Sequence, residues 1–410
     1  MPPLTSYQRQ LFVFLSVASF FEGYDFIALT QILPNFRQDM GMGEAAGGVL
    51  VAFINFGTVV AYLLIRKADR WGRKRVLTIT IAGYTVSTFL SGLAPEPISF
   101  AVFQFFGRIF LISEWAVSMV YAAEEFPAKR RGMVIGVIQG FSSLGAIACA
   151  GLVPFLLSTA WGWRTVYFVG IAPLVLLAFA RRNLRESRRF EQQIKGTDVQ
   201  GRSLLHIFST PHRKRLFELA LIWGFTYASF HTAVTFWKEF VVAERAFTDG
   251  MVGTSITVAA LVAMPLVFLV GPMMDAVGRK RSAAVVFLLG AAGVFSCYTL
   301  TGQWPLTAAL IFGIVAASAA PSVLNAFTTE LFPTGYRSDA FAWANNLLGR
   351  IGYVVAPAVV GFAASTTGWG WAVRVTVVFP LIALVLILVL LPETMAKELE
   401  ETAAIPSPQT

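Results

Sequence analysis

The sequence contains little charge, little cysteine and little histidine, and each shortage excludes a class of function. Only 13% of its 410 residues are charged, whereas a soluble domain carries about 25%, so a soluble globular fold is excluded. The two cysteines, Cys149 and Cys297, lie inside apolar stretches and have no reason to pair. With three histidines and no Cys/His cluster at metal-ligand spacing, we expect no metal site and no cofactor.

Sequence motifs of enzymes are also missing. The chain has no G-x-x-x-x-G-K-[ST] loop to cradle phosphates, no nucleophile elbow and no H-E-x-x-H helix. We therefore do not expect an enzyme or an ATPase of that type. Any uphill movement of a solute would have to draw on an ion gradient or on a partner.

What the chain has instead is hydrophobic residues, which make up 56% of it and form long uncharged runs such as 146–163 and 256–274. Such runs approach the roughly 20 apolar residues that cross a bilayer, where the backbone must be helical to satisfy its hydrogen bonds. The pattern predicts twelve spans, near 11–33, 46–65, 76–94, 98–123, 132–158, 163–180, 216–237, 251–274, 282–301, 305–327, 339–364 and 370–391.

The basic residues predict the orientation of these spans. Of the 32 Lys and Arg residues, 25 fall in the termini and loops of one side and only five on the other. By the positive-inside rule, both termini and the long middle loop are cytoplasmic. The net charge of +9 is thus mainly a topology signal, and its spread over short loops argues against a nucleic-acid partner.

The chain also repeats itself at a fixed offset of 206 residues. The stretch D-R-W-G-R-K-R at 69–75 returns as D-A-V-G-R-K-R at 275–281, and E-E-F-P at 124–127 with Arg131 returns as E-L-F-P at 330–333 with Arg337. Nine residues are identical without a gap. Polar signatures that recur between apolar runs are typical of a transporter built from two related halves.

These repeated stretches resemble the signature of the major facilitator superfamily. Arg185-Glu186-Ser187 is similar to the P-E-S-P-R sequence after helix six, and Leu391-Pro392-Glu393-Thr394 resembles the P-E-T sequence after helix twelve. These elements are typical of the branch of sugar porters, organic-ion transporters and aromatic-acid:proton symporters. The resemblance implies an all-α membrane protein with two pseudo-symmetric six-helix halves at 1–182 and 216–391, a cytoplasmic central loop at 183–215 and a tail at 392–410.

The resemblance implies a cytoplasmic gate in the repeated stretches, where Asp69 and Arg73 would lie near Arg131 and latch the halves when the cavity faces outward. Glycine at 72 and 278 permits a tight turn between helices. The alternative is that these are only solvated, topology-setting charges. The gate residues are Asp69, Gly72, Arg73, Glu124 and Arg131 in the first half, and Asp275, Gly278, Arg279, Glu330 and Arg337 in the second.

Charges inside the spans carry the functional argument, because an ionisable group at bilayer depth costs roughly 2.5–3.5 kcal/mol and normally faces a cavity or a partner. Asp25 of helix one and Arg108 of helix four lie at comparable depth, and Glu22 shares the face of Asp25. The resemblance implies proton coupling by Asp25 and Arg108, with Glu22 as a second proton site or a neighbour of the substrate. A fixed ion pair and a site for a cationic substrate stay open. For Glu114 we favour a structural role.

The second half carries the candidate substrate residues. Arg350, in G-R-x-G of helix eleven, resembles the arginine that faces an anionic substrate in organic-anion and aromatic-acid transporters, and its fork suits a carboxylate. The offset pairs Gln139 with Asn345 and Asp25 with His231, and any of these could instead bond a neighbouring helix. The candidate substrate residues are Arg350, Gln139, Asn345, Asn346, His231, Tyr24 and Trp237.

We therefore predict a monomeric, multi-pass transporter of a bacterial-type cytoplasmic membrane that moves a small organic anion with a proton by alternating access. The anion would be a carboxylate, and an aromatic one would suit the aromatic residues of helix seven. A sugar or polyol symporter is the alternative if Arg350 is structural. A non-transporting membrane sensor on the same fold is the alternative of another class. Substrate identity and direction of transport do not follow from the sequence.

Overall fold

The computed structural model describes residues 4–171, 185–186, 204–333 and 336–395, without the side chains of 67–70, 128–132 and 338. We number its helices in chain order. They are α1 (Ser6–Asp39), α2 (Glu44–Trp71), α3 (Arg73–Gly92), α4 (Pro97–Glu125), α5 (Ala128–Leu157), α6 (Arg164–Val169), α7 (Arg213–Arg245), α8 (Asp249–Phe268, continued by Val270–Val277), α9 (Arg279–Cys297), α10 (Gln303–Glu330), α11 (Arg337–Phe341, Ala342–Gly349 and Arg350–Thr367) and α12 (Trp369–Arg374, Val375–Val377 and Val378–Leu390).

The helices correspond to the predicted spans, and most extend beyond them by several residues. Within the described ranges, nine are long and apolar enough to cross a membrane, all except α3, α6 and α7. Helix α3 is rich in threonine and serine, and α7 carries Lys238 and Glu239, so both have lower hydropathy than the others. The predicted span at 163–180 begins with α6, and its remainder from 172 lies outside the described residues.

The chain divides into two compact units. Unit 1 comprises 1–42 and 53–199, and unit 2 comprises 43–52 and 200–410. The predicted central loop at 183–215 falls largely outside the described residues, so its boundaries stay predictions.

In unit 1, glycines let α1 and α5 pack at backbone distance. A Cβ built on Gly23 would lie 1.9 Å from the carbonyl oxygen of Ser142, and one on Gly145 would lie 1.7 Å from that of Phe20. Real Cβ atoms do not approach so closely, so only glycine fits at both positions. This contact holds the middle of α1, with its two acids, against α5.

In unit 2, α7 and α11 approach each other in the same way. A Cβ on Gly352 would lie 2.0 Å from the carbonyl oxygen of Gly224, and one on Gly349 would lie 2.6 Å from the Cβ of Trp223. Helix α11 is π-helical over Ala342–Gly349, and the last residue of this segment takes part in the contact. Segments of π-helix are rare and often occur at functional sites.

Two matching turns join consecutive helices, one turn in each unit. In each unit, we call the end of the helices that carries this turn and the repeated basic stretch (69–75 or 275–281) the basic end. Gly72 between α2 and α3 has φ 91°, and Gly278 between α8 and α9 has φ 97°. Only glycine adopts such values readily, so these positions terminate one helix and start the next within a single residue.

Candidate functional site

The acids of α1 are buried in the interior of unit 1. Asp25 is buried, and its Oδ2 accepts a hydrogen bond from the hydroxyl of Thr88 at 3.4 Å. Its Oδ1 is buried and accepts no hydrogen bond from the described residues. A small cavity lies beside it, lined by Asp25, Thr88, Gln104, Gly107, Arg108, Leu111 and Tyr167.

Arg108 lines the same cavity, and no direct ion pair between it and Asp25 occurs in the described part of the chain. Its guanidinium carbon lies 4.9 Å from the centre of the Phe26 ring. One of its terminal nitrogens, Nη1, is buried and donates no hydrogen bond to a described residue. The carboxyl group of Asp25 and the guanidinium of Arg108 therefore line one cavity, and each has a buried polar atom without a hydrogen bond to a described residue.

Glu22 lies on α1, like Asp25, and faces α5. Its Oε2 accepts a hydrogen bond from the hydroxyl of Ser142 at 2.7 Å. Ser142 is also the residue whose carbonyl group Gly23 approaches, so the glycine contact between α1 and α5 positions this hydrogen bond.

Two predicted substrate residues of unit 1 are held by other contacts. The hydroxyl of Tyr24 is buried and donates to the carbonyl oxygen of Val166 at 3.2 Å. Gln139 lies against α4, where its amide oxygen accepts from the Trp115 indole at 3.5 Å and its nitrogen lies 3.5 Å from the sulfur of Met119.

In unit 2, Arg350 lies against two tyrosine rings. Its guanidinium carbon is 5.0 Å from the ring centre of Tyr227 on α7 and 5.3 Å from that of Tyr353 on α11. A guanidinium within about 6 Å of an aromatic face is attracted by the ring quadrupole. The Nε of Arg350 is buried without a hydrogen-bond partner among the described residues.

His231 and Asn345 belong to the same cluster. The ring of His231 meets Tyr353 edge to face at 4.8 Å and lies 5.1 Å from Tyr227. The hydroxyl of Tyr227 donates to Oδ1 of Asn345 at 2.6 Å. Asn345 and its neighbour Asn346 both lie in the π-helical segment. We call Tyr227, His231, Asn345, Arg350 and Tyr353 the arginine cluster.

Trp237 lies elsewhere. It is buried, and its nearest described ring is that of Phe247 at 6.4 Å, on the chain that follows α7. The structure thus brings His231, Asn345 and Arg350 together, but it does not bring Trp237 to them.

Tyr353 and the role of Tyr227 were missed by the sequence analysis. Tyr353 is three residues after Arg350, and Tyr227 is four residues before His231. Helical residues at these spacings share a face, so helical periodicity applied to each predicted site residue could have found both.

The gate residues of unit 1 form an ion pair and a helix cap at the basic end. The guanidinium of Arg73 makes three nitrogen–oxygen contacts of 2.9–3.2 Å with Glu124 at the end of α4. The backbone N–H groups of Arg73 and Lys74 donate to Oε1 of Glu186 at 2.7 and 3.2 Å. Glu186 therefore caps the first turn of α3, where a carboxylate is favoured by the helix dipole.

The equivalent residues of unit 2 repeat this arrangement. Arg279 pairs with Glu330 at 3.0 Å and with Asp275 at 3.1 Å. The backbone N–H groups of Arg279 and Lys280 donate to Glu393 at 2.9 and 3.0 Å. Burial raises the pKa of Glu393, but the hydrogen bonds from these two N–H groups and from those of Thr394 and Met395 lower it further. The pKa of Glu393 therefore lies below its ordinary value.

The remaining gate predictions are only partly covered. The side chains of Asp69 and Arg131 lie outside the described residues. Arg337 donates to the carbonyl oxygen of Phe332 at 3.4 Å. In the described ranges no group of His, Cys, Asp and Glu is arranged to hold a metal ion.

Comparison with known proteins decides the family. The model of the Major Facilitator Superfamily matches residues 15–352 and 236–409. The chain belongs to the Major Facilitator Superfamily. Its structure is similar to that of the xylose transporter of E. coli in an inward open conformation, with a TM-score of 0.77, 18% identity and coverage of 95% of this chain and 98% of the other.

Similar sequences are metabolite transporters. A cis,cis-muconate transport protein of Acinetobacter baylyi is 28% identical over 382 residues, which cover 88% of this chain and 89% of the relative. A gallate transporter of Pseudomonas putida is 26% identical over 408 residues, covering 90% of this chain and 88% of the relative. The chain is thus a multi-pass integral membrane transporter of a small molecule, and not an enzyme.

Proposed function

We propose that this transporter of the Major Facilitator Superfamily carries a small organic carboxylate in symport with a proton. The arginine cluster would bind the anion, and the buried acids of α1 with Arg108 would bind the proton. Alternating access would couple the two sites.

The observation that carries the proposal is the environment of Arg350. Its guanidinium lies against two aromatic rings and keeps a buried Nε without a hydrogen-bond partner among the described residues. A buried donor without an acceptor is costly, and a carboxylate would satisfy it in the bidentate geometry that guanidinium favours. The two tyrosines and His231 would pack on a flat, unsaturated or aromatic substrate.

The relatives support this substrate class. Cis,cis-muconate and gallate, which two of them are named for, are both planar, unsaturated carboxylates. The sugar alternative has weaker support, because the amide of Gln139, its main sequence feature, lies against Trp115 and Met119.

Proton coupling is proposed for Asp25, Glu22 and Arg108. Asp25 and Arg108 line one cavity and form no direct ion pair in the described part of the chain, and each has an unsatisfied polar atom. A fixed structural pair would instead satisfy both charges. The arrangement fits a carboxyl that gains and loses a proton during the transport cycle.

We further propose that the protein acts as a monomer in a bacterial-type cytoplasmic membrane with the basic end in the cytoplasm. The excess of Lys and Arg in the loops of that end supports the orientation.

The test is uptake by purified protein in proteoliposomes under an imposed pH gradient, inside alkaline. Gallate, cis,cis-muconate and benzoate are compared with xylose. We expect carboxylate uptake that a protonophore abolishes and no xylose uptake. Uptake of xylose alone would support the sugar symporter instead, and ligand binding without flux would support the sensor.

Variants then separate the roles. Arg350→Ala should abolish carboxylate uptake, and Arg350→Lys should reduce it by about tenfold or more, because an ammonium loses the planar fork. Arg374→Lys is the matched control, since Arg374 lies on α12 against Phe295 and outside the cluster. Asp25→Asn should abolish proton-driven accumulation. If Arg350→Ala and Asp25→Asn both transported like the parent protein, the proposed mechanism would be wrong.

A further inference from the structure

Glu114 of α4 is a buried carboxyl that the proposed coupling site does not use. Its side chain is 0% exposed. Its Oε1 accepts from the hydroxyl of Ser118 at 2.6 Å, one helical turn away, and its Oε2 is buried without a hydrogen-bond partner in the described ranges. No described cationic side chain forms an ion pair with it. A carboxylate buried for structure alone would need such a partner, because an uncompensated charge costs several kcal/mol.

Glu114 is linked to the acids of α1. Its carboxyl and that of Glu22 interact electrostatically, so the two like charges disfavour each other. The hydroxyl of Tyr84 on α3 is buried and interacts electrostatically with Glu114, Glu22 and Asp25. Polar atoms from α1, α3 and α4 thus lie together inside unit 1, with hydrogen-bonding capacity left over.

Further hydroxyl groups of unit 1 lie near the depth of Glu114 and at the basic end. Glu114 is about 16 Å from the end of α4 by the rise of 1.5 Å per residue. Ser118 lies one helical turn nearer to that end. On α1, the hydroxyls of Ser16 and Ser19 are buried and have no hydrogen-bond partner among the described residues. These two serines are 10 and 13 residues after the start of α1 at Ser6, so they lie at a depth similar to that of Glu114. At the basic end, the hydroxyl of Tyr121 pairs with that of Tyr7 at 2.8 Å and donates to the carbonyl oxygen of Arg185.

These polar atoms run through an apolar core. Leu11, Leu15, Leu111 and Val117 of the same helices belong to a hydrophobic cluster of buried residues in unit 1. Apolar side chains would be more stable in such a place, since buried polar groups without hydrogen bonds are destabilising. The presence of several such groups in this core is explained by a function that needs side chains able to accept and donate a proton.

We propose that Glu114 is a second proton carrier, which exchanges the coupling proton between the acids of α1 and the basic end through the interior of unit 1. In the transfer, the O–H bond of the Glu22 or Asp25 carboxyl breaks, an O–H bond forms on Oε2 of Glu114, and the donor becomes a carboxylate. The hydroxyls of Tyr84, Ser118, Ser19 and Ser16 would relay the proton. This inference rests on the proposed proton symport and replaces the structural role expected from the sequence.

The test separates proton movement from substrate movement in proteoliposomes. The probe is gallate or cis,cis-muconate, whichever the parent protein takes up faster. Counterflow exchange needs no net proton transfer, whereas accumulation and substrate-dependent acidification of the lumen do. Glu114→Gln keeps the shape and the acceptor for Ser118 but cannot carry a proton. We expect it to retain exchange and to lose accumulation and acidification by about tenfold or more.

Three further variants make the outcome decisive. Glu114→Asp should recover part of the accumulation, because it restores a titratable carboxyl. Tyr84→Phe should slow acidification, because it keeps the ring and removes the hydroxyl that would relay the proton. Glu96→Gln is the control, since Glu96 precedes α4 and its side chain makes no cap hydrogen bond; it should behave like the parent.

Two results would overturn the inference about Glu114 and leave the proposed symport intact. One is a proton-coupled parent whose Glu114→Gln variant accumulates the probe and acidifies the lumen equally well. The other is a Glu114→Gln variant that loses exchange together with accumulation, which indicates a structural role. If the parent itself moves no protons with either probe, the proposed symport fails, and the inference fails with it.

Discussion

Glu393 accepts a hydrogen bond from the backbone N–H of Arg279 across 2.9 Å, and so caps the first turn of α9. In unit 1, Glu186 caps α3 in the same way through the N–H of Arg73. Both glutamates come from stretches that follow the sixth and twelfth predicted spans, far along the chain from the helices that they cap. The repeat between the halves therefore includes a helix cap that the offset of 206 residues does not detect.

The cap predicts a pH-dependent stability. The pKa of Glu393 lies below its ordinary value of 4.5, so its contribution is complete above that pH and is lost as the pH falls through the lower folded value. Glu393→Gln should cost about 1 kcal/mol at neutral pH, typical of a lost cap. Thermal unfolding of the detergent-purified protein should show a gap between parent and variant that closes at acid pH. Glu96→Gln should show no such gap.

The ion pairs at the basic end should differ in strength between the units. The side chains of Arg73 and Glu124 are 6% and 13% exposed, and those of Arg279 and Glu330 are 16% and 18% exposed. Because Arg73 is the less solvated and contacts both carboxylate oxygens, double-mutant cycles to alanine should give about 2–3 kcal/mol for its pair and about 1–2 for the other.

The pair Lys214–Glu218 is the control for these cycles, because its contact is long, at 3.9 Å, and its lysine side chain is 86% exposed; it should give less than about 0.5 kcal/mol. Equal coupling in all three pairs would contradict the argument from burial. Unfolding of purified protein by denaturant, followed by tryptophan fluorescence, supplies the free energies.

The glycine contact between α1 and α5 should be intolerant of a methyl group. Gly23→Ala places a Cβ 1.9 Å from the Ser142 carbonyl oxygen, so the helices must separate and the Glu22–Ser142 hydrogen bond must lengthen. We expect a loss of about 2 kcal/mol or more in stability, together with impaired proton-driven uptake. Gly136→Ala and Gly140→Ala on α5, where a Cβ meets nothing within 4 Å, should be neutral or slightly stabilising.

Within the arginine cluster, Tyr227→Phe should raise KM for the transported carboxylate while the maximal rate stays close to that of the parent. The variant keeps the ring against Arg350 but removes the donor to Asn345, which we expect to cost about 1 kcal/mol in substrate affinity. Tyr353→Ala, which removes a ring, should cost more. Equal KM values for the parent and both variants would place the substrate elsewhere.

The sequence allowed the membrane spans to be predicted because apolar length depends on the bilayer alone. It also placed Asp25 and Arg108 at one depth, since the helical rise is fixed. It could not show that these two side chains line one cavity without pairing, because that depends on rotamers and on the neighbours Thr88 and Phe26. Nor could it show that the Tyr24 hydroxyl bonds Val166, since residues of the same type occur in cores and in binding sites.

Contacts between helices that are far apart in the sequence were the hardest to predict. The approach of Gly349 to Trp223 brings Arg350 to Tyr227, and no local pattern marks which glycine allows a close contact. The π-helical segment has no sequence signature that we could read, because its residues are ordinary helix formers and amides.

That segment also bears on how the two halves diverged. A π-helical turn closes its hydrogen bonds at i→i+5 and so holds one more residue than an α-helical turn. The halves keep an offset of 206 residues up to Arg337, whereas the capping glutamates Glu186 and Glu393 differ by 207, and the π-helical segment lies in that interval. An insertion of one residue in an ancestral α11 would create such a turn and move every later side chain around the helix. It would give Arg350 a direction that its counterpart at the offset of 207, Ser143 in the first half, never acquired.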